Sequence, residues 1–118
     1  MQLRPKLKPD TYAFVEVENV LSIPPQTIAV FQEDEGTTAI MPKNVAVKLN
    51  LKIVFEAAWI ALTADTDLTD KGITAAFSQI LADNNISCNV FAPINHDHIF
   101  VPYEDRQRTL ELLEGIRL

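Results

Sequence analysis

Three groups of side chains in this sequence have types and spacings that could support chemistry. They are a run of aspartates, a single cysteine, and a pair of histidines flanking an aspartate, namely Asp65, Asp67, Asp70, Cys88, His96, Asp97 and His98. Carboxylates can bind an ammonium group or a hard cation, and a thiolate can act as a nucleophile. Two histidines on one face of a strand can begin a zinc site.

Each group also has a structural explanation, which we favour. Aspartates just before a helix cap its first turn and are stabilised by its positive end. Cys88 shares a predicted strand face with Ile86 and Val90, so we expect a buried thiol rather than a nucleophile. No second cluster of ligands accompanies His96 and His98, so we predict a polar turn there, with no metal and no cofactor.

The composition indicates a globular protein that does not bind nucleic acid. The 118 residues are 47% hydrophobic and 22% charged, with a formal net charge of −6 and a sequence pI of about 4.7. An acidic chain repels phosphate backbones, and the largest basic run is Arg4, Lys6 and Lys8. No apolar run reaches the length of a membrane span, and one cysteine cannot form an internal disulfide. We therefore predict a cytoplasmic protein that binds neither nucleic acid nor membrane.

The elements that carry the candidate side chains lie mainly in residues 59–102. A strand pattern, an amphipathic helix and two further strand patterns follow one another, and a second helix closes the series. The predicted elements are strands over 57–64, 86–92, 98–101 and, for a few edge residues, 116–118, with helices over 70–83 and 103–114. This β-α-β-β-α-β order is typical of ferredoxin-like folds.

The first half of the chain predicts a shortened copy of the same arrangement. Its elements are an extended arm over 1–10, a strand over 11–17, a helical stub over 19–23, a hairpin of 28–32 with 37–41, and a short helix that Pro42 begins and Asn50 ends. Pro24 and Pro25 exclude a longer first helix. We therefore predict an α+β protein of two tandem ferredoxin-like units, the first truncated, with residues 1–55 in one and 56–118 in the other.

The second half resembles an ACT domain, a small regulatory module that binds amino acids beside metabolic enzymes. The resemblance lies in the loop and helix start at Asp67 and Gly72-Ile73 and in the strand Ile86–Val90. With His96–Pro102 added, the chain is similar to a family of small bacterial ACT-like proteins that carry two tandem units and no attached enzyme. The sequence departs from that pattern at Pro93-Ile94, which stiffens the turn that follows.

This resemblance implies a ligand site at an interface between ACT-like units. The implied residues belong to the loop before the helix, the helix start and the next strand: Asp65, Asp67, Leu68, Gly72, Ile73, Asn89 and Val90. Backbone N–H groups at a helix N-terminus suit a carboxylate, and Asp67 could pair with an ammonium group, so one site would suit an amino acid. Gly72 would make room either for the ligand or for a neighbouring strand.

We therefore expect a non-enzymatic regulatory or sensor protein that binds an amino acid or a similar small metabolite at the junction of its units or across a homodimer. Open strand edges favour the homodimer, because pairing two edges protects both. Two alternatives stay open at this point. One is an adaptor that binds another protein through its sheet edge and no small molecule, and the other is a metal-dependent enzyme that uses His96 and His98.

Overall fold

The computed structural model describes residues 3–63 and 72–116. The strands are β1 (Arg4–Leu7), β2 (Tyr12–Val17), β3 (Ala29–Gln32), β4 (Thr37–Pro42), β5 (Ile53–Thr63), β6 (Asn89–Phe91) and β7 (Asp97–Pro102). The helices are α1 (Lys43–Lys48), α2 (Ile73–Asp83) and α3 (Arg106–Glu114), with single 3-10 turns at Val20–Ser22 and Tyr103–Asp105. Within the described ranges, no helix has the length and hydrophobicity needed to cross a membrane.

The chain forms two compact units, and the long strand β5 supplies residues to both. The first unit comprises residues 10–57, and the described residues of the second are 3–9, 58–63 and 72–116. The sequence predicts that the N-terminal arm belongs to the first unit, whereas the structure groups residues 3–9 with the second. The reason is β1, which pairs antiparallel with the last residues of β5.

The first unit is an antiparallel sheet with the strand order β3-β4-β2-β5. In chain order these are its second, third, first and fourth strands, which is the predicted ferredoxin-like arrangement. One 3-10 turn stands in place of the first helix, and the side chain of Asn19 caps it by accepting the Leu21 amide at 2.9 Å. The core is built from small and medium residues: Ala13, Val15, Ala39, Met41 and Ala46.

The short helix of the first unit follows the prediction. α1 begins directly after Pro42, and Asn50 has the left-handed φ of 55° expected just beyond a helix end. Lys43 in α1 forms a salt bridge with Glu56 in β5, and both side chains are partly exposed. Water screens such a pair, so it adds little to stability. The contribution of α1 to this unit comes mainly from burial of Ala46 in the core against β2 and β4.

The second unit has the strand order β1-β5-β7-β6 and completes its sheet with the N-terminal strand. β1 occupies the place of the fourth strand in a ferredoxin-like fold, beside β5. The sequence predicts that residues 116–118 add a few residues of edge strand to this sheet. Ile116 is instead buried in the core outside any strand, and residues 117–118 lie outside the described residues.

Two helices cover one face of this sheet and form the larger of the two cores. The buried residues come from the start of the chain, from alternate positions of β5 and β7, and from the helices: Leu3, Ala58, Ile60, Leu62, Phe77, Leu81, Ile86, Ile99, Val101, Leu113 and Ile116. The predicted apolar stripe of α2 is confirmed, because Phe77 and Leu81 are fully buried. The helix ends as expected at Asn84 and Asn85, and Asn85 has a φ of 60°.

β6 is shorter than the strand predicted over 86–92. Ile86 turns into the core, and its N–H donates to the carbonyl of Leu81 at 2.9 Å. Because this N–H satisfies a carbonyl at the end of α2, it is not available to a sheet. Pairing with β7 therefore begins only at Asn89, and Cys88 lies before the strand.

Candidate functional site

The structure describes four of the seven predicted ligand-binding residues. Gly72 and Ile73 lie at the start of α2, and Asn89 and Val90 lie in β6. The other three, Asp65, Asp67 and Leu68, lie outside the described residues. The described part of the candidate site therefore consists of the start of α2 and the strand β6.

A glycine is needed at position 72 because of its backbone conformation, and not because a side chain would clash with a described atom. It is the residue before α2 and has a φ of 87°, in the left-handed region that side chains disfavour. A Cβ built at Gly72 would meet no described atom within 4 Å. Of the two roles expected for this glycine, making room for a neighbouring strand has no support in the described part of the chain. Among the described residues, no atom fills the space beside Gly72.

Replacing Gly72 with alanine is expected to lower the free energy of unfolding by about 1–2 kcal/mol, because an L-residue is strained at this φ. Gly115 provides a matched control. Its φ is −79° and an added Cβ would lie 3.6 Å from the Leu112 carbonyl oxygen, an ordinary contact, so Gly115→Ala should be neutral or slightly stabilising. Urea denaturation of both variants measures the difference, and equal effects would contradict this explanation.

The start of α2 has polar backbone groups suited to an anion. The first N–H groups of a helix have no partner within the helix. The carbonyl of Gly72 accepts the Ala76 amide at 3.0 Å, which sets the first helical turn, and no described side chain caps this end. Ile73 is half-buried and packs on the core, so it fixes the helix start more than it offers a polar contact. A carboxylate placed here would face aligned donors.

Asn89 and Val90 lie on the edge strand β6 but point to opposite faces of the sheet. Asn89 is opposite Phe100 and Val90 is opposite Ile99. Directly opposed residues share a face, and Ile99 is buried under the helices, so Val90 is on the helix side and Asn89 is on the other. Both residues are exposed. A ligand on one face can therefore contact only one of these side chains, together with the strand backbone.

Cys88 is partly buried and packs against the core of the second unit. Burial raises the pKa of its thiol to about 11. A thiol with this pKa is almost entirely protonated at neutral pH and is a poor nucleophile. The expectation that Cys88 is a packing residue is therefore supported.

The triplet His96-Asp97-His98 does not form a metal centre with other residues that the structure describes. β7 begins at Asp97, so His96 precedes the strand and is exposed. Nδ1 of His98 accepts a hydrogen bond from Nε1 of Trp59 at 2.9 Å, which occupies one of its two nitrogens. No three His, Cys, Asp or Glu side chains among residues 3–63 and 72–116 lie close enough to share a metal ion. A zinc site would need more ligands than this triplet offers.

Two open grooves in the first unit were not anticipated from the sequence. One, of about 550 Å³, is lined by Asp10, Thr11, Lys43, Asn44, Val47 and Lys48. The other, of about 610 Å³, lies beside the 3-10 turn and is lined by Ser22, Ile23, Pro24, Pro25, Gln26, Asn44, Val45, Lys48 and Leu49. None of the predicted ligand-binding residues lines either groove. The second groove lies between the segment after the 3-10 turn, which includes Pro24 and Pro25, and one side of α1.

Comparison with known protein families identifies the fold. Two sequence models, each described as an ACT domain, match residues 1–58 and residues 54–115. This chain belongs to the ACT-domain family. The predicted pair of tandem ACT-like units and the predicted α+β fold class are thereby confirmed. ACT domains are in general regulatory modules that bind ligands.

Solved structures agree with this ACT-domain assignment. A protein of unknown function from Vibrio cholerae, VC0802, described as a possible transport protein, is 37% identical with a TM-score of 0.86, over 95% of this chain and 88% of that one. The protein Atu0741 from Agrobacterium tumefaciens has a TM-score of 0.79 at 15% identity, over 96% of this chain and 87% of that one, and shows the fold alone. No curated protein matches the chain.

Proposed function

We propose that this ACT-domain protein is a non-enzymatic regulator that binds an amino acid or a similar small zwitterion. Its tandem ACT domains extend over residues 1–58 and 54–115, and ACT domains are in general regulatory and ligand-binding. This family assignment is the observation that carries the proposal. The high pKa of the Cys88 thiol, raised to about 11, argues against a cysteine nucleophile and so supports a binding role.

The proposed site combines the start of α2 in one unit with β6 of a neighbouring copy, because within one unit Asn89 lies on the sheet face away from α2. The helix start offers backbone N–H groups to the ligand carboxylate, and no described atom lies within 4 Å of the position that a Gly72 side chain would take. We assign the ammonium group to the carboxylates predicted in the preceding loop, Asp65 and Asp67. Asn89 is the exposed amide on the face of β6 away from the helices, and can donate and accept hydrogen bonds.

We also propose that two copies associate through β6. In the described part of the sheet, β6 is hydrogen-bonded on one side only, by β7, and Val90 in it is 40% exposed. Pairing with the same strand of a second copy would satisfy the open backbone groups and cover this side chain. Sedimentation of the protein should therefore show a dimer that ligand stabilises. A Val90→Lys variant should be monomeric, because pairing the two edges would bury a charged side chain at this position.

A thermal-shift screen of the protein without a tag against the twenty amino acids tests the binding proposal. One amino acid, or a few related ones, should raise the melting temperature, since a ligand at one hundred times its dissociation constant adds about 2.7 kcal/mol of stability. The response should be lost in Asp67→Ala and in Asn89→Ala. It should persist in the matched controls Asp34→Ala and Asn95→Ala, whose side chains are exposed in the two hairpin turns.

Two results would count against the binding proposal. If no amino acid changed the melting temperature, the proposal that the protein binds an amino acid would be wrong. A response that survives in both Asp67→Ala and Asn89→Ala would move the ligand elsewhere, and the two grooves beside α1 would be examined next.

A second candidate function, a protein–protein adaptor, is favoured by the edge strand β3. β3 pairs only with β4 among the described strands, and it exposes apolar side chains on both faces, with Phe31 60% and Val30 42% exposed. Exposed apolar edges are surfaces to which an extended peptide can add. If the protein is an adaptor, no amino acid should change its melting temperature. It should bind a protein partner in a fixed stoichiometry, and the Phe31→Lys variant should lose that binding. The same variant would leave amino-acid binding intact if the first proposal holds.

A further inference from the structure

The second unit contains an aromatic cluster on the sheet face away from its helices, which we define as Trp59, Phe91, His98 and Phe100. The ring of Trp59 stacks on Phe100 with centroids 6.1 Å apart and an angle of 22°, and Phe91 meets Phe100 edge-on at 5.6 Å. The ring of His98 lies 5.7 Å from that of Trp59. These contacts tie β5, β6 and β7 together through side chains whose apolar area is large.

Lys8 connects the N-terminal strand to this cluster. Its ammonium group lies 5.1 Å from the centre of the Trp59 ring, at a distance suited to a cation–π contact. Its backbone N–H donates to the carbonyl of Trp59 at 2.9 Å. The position of Trp59 is therefore coupled to the end of β1 twice, once through its ring and once through its backbone.

The hydrogen bond between Trp59 and His98 fixes the protonation state of the histidine. The indole Nε1–H can only donate, and it donates to Nδ1 of His98 at 2.9 Å. Nδ1 must therefore carry no proton, so His98 is neutral and its proton lies on Nε2. A second proton on the ring would put two N–H groups face to face, and the hydrogen bond would break.

The charges around His98 also oppose its protonation. Burial lowers the pKa of His98 below its usual 6.5, and the charges of His96 and Lys8 act in the same direction, whereas Asp97 acts against them. Two other described strands place a side chain next to His98. β5 places Trp59 there and β6 places Phe91 directly opposite, and neither side chain titrates near neutral pH. His98 is therefore neutral while the aromatic cluster is intact.

We propose that His98 and Trp59 form a proton-operated latch that couples the attachment of the N-terminal strand β1 to pH. Acidification transfers one proton from solvent to Nδ1 of His98, which breaks the hydrogen bond from Trp59 and places a cation beside the Lys8 ammonium. Repulsion between the two cations and the loss of the indole partner loosen the end of β1. This device acts without any small ligand, so it stands apart from the binding function proposed above.

The direction of the pH effect on stability follows from the lowered pKa. The unfolded chain binds a proton at His98 near pH 6.5, whereas the native protein binds it only at lower pH. Below 6.5 the unfolded state therefore holds more protons, and stability falls as the pH falls through the window between the two values. Above 6.5 the contribution is fully present.

The protein has a single tryptophan, so its tryptophan fluorescence reports on the surroundings of Trp59. We expect the emission of the wild type to change when the pH is lowered, with a midpoint below 6.5, because His98 then gains its second proton. In the same window, the hydrogen-exchange protection of the Lys8 amide should fall relative to that of the Ile86 amide, which is bonded to Leu81 away from the latch. His98→Gln should abolish the fluorescence change, because a glutamine oxygen can accept the indole N–H but does not titrate.

His96→Gln is the matched control, since His96 is an exposed histidine that makes no described contact with Trp59. This variant should keep the transition and move its midpoint upward, because a charge that opposes protonation of His98 is gone. A transition unchanged in His98→Gln, or no transition in the wild type, would overturn the proposal. If His98→Gln does not fold, nitrogen NMR of the wild type decides, and a proton on Nδ1 of His98 at about pH 8 would exclude the latch.

Discussion

Replacing Leu3 with alanine is expected to lower the free energy of unfolding by about 2–5 kcal/mol. Leu3 is 2% exposed and belongs to the core of the second unit, although it stands at the very start of the described chain. Truncation would leave a cavity under α3, against which β1 packs. Urea denaturation monitored by circular dichroism measures the loss.

Leu21→Ala is the matched control for this prediction. Leu21 is 94% exposed in the 3-10 turn of the first unit, so its truncation should change stability by no more than about 0.5 kcal/mol. The comparison tests whether the N-terminal strand is an integral part of the second unit. If Leu3→Ala were as mild as Leu21→Ala, Leu3 would not pack in the core of the second unit as described.

Replacing Phe77 with alanine should have the largest effect of any single substitution considered, about 3–5 kcal/mol. Phe77 is fully buried at the centre of the α2 stripe, among core residues from β5 and β7. No rearrangement of the surrounding close-packed side chains can refill the volume of an aromatic ring. The same denaturation experiment measures the loss.

Phe31→Ala provides the corresponding control, because Phe31 is 60% exposed on the edge strand β3. Its truncation should cost less than about 1 kcal/mol, since little apolar area returns to water. Similar losses in Phe77→Ala and Phe31→Ala would mean that α2 does not pack on the sheet as described.

The sequence correctly predicted those helices and helix ends that are determined by residues only a few positions apart. The spacing of Phe77 and Leu81 predicted the buried face of α2, and both are fully buried. Asn50 predicted a left-handed residue after α1 and has one. Pro24 and Pro25 predicted that the first helix would be a stub, because proline interrupts the hydrogen bonding of a helix.

The interactions that the sequence did not predict join distant residues. Arg4 in β1 pairs with Thr63, and nothing in the short polar segment around Arg4 specifies that partner. The hydrogen bond between Trp59 and His98 spans 39 positions, so the histidine triplet was read as a turn or a metal signal instead of a partner for an indole. The strand over 86–92 was predicted too long because alternation cannot show that the Ile86 amide already bonds to the end of α2.

The candidate site stays a prediction, although the local geometry of its described residues agrees with the sequence. Alternation placed Asn89 and Val90 on opposite faces of their strand, and the register with β7 does the same. Gly72 was expected to make room for a ligand or a strand, and its φ of 87° shows the backbone reason for a glycine there. Asp65 and Asp67 stay predictions, since they lie outside the described residues.

Two-dimensional NMR of the labelled protein, titrated with the twenty amino acids, tests the central claim of amino-acid binding most directly. We expect one amino acid to shift the backbone amides of Gly72, Ile73 and Asn89 and the side-chain amide of Asn89, while the indole N–H of Trp59 at constant pH stays in place. Spectra unchanged by every amino acid would contradict the binding proposal. Shifts confined to residues 10–57 would place the ligand in the grooves of the first unit and would contradict the proposed site.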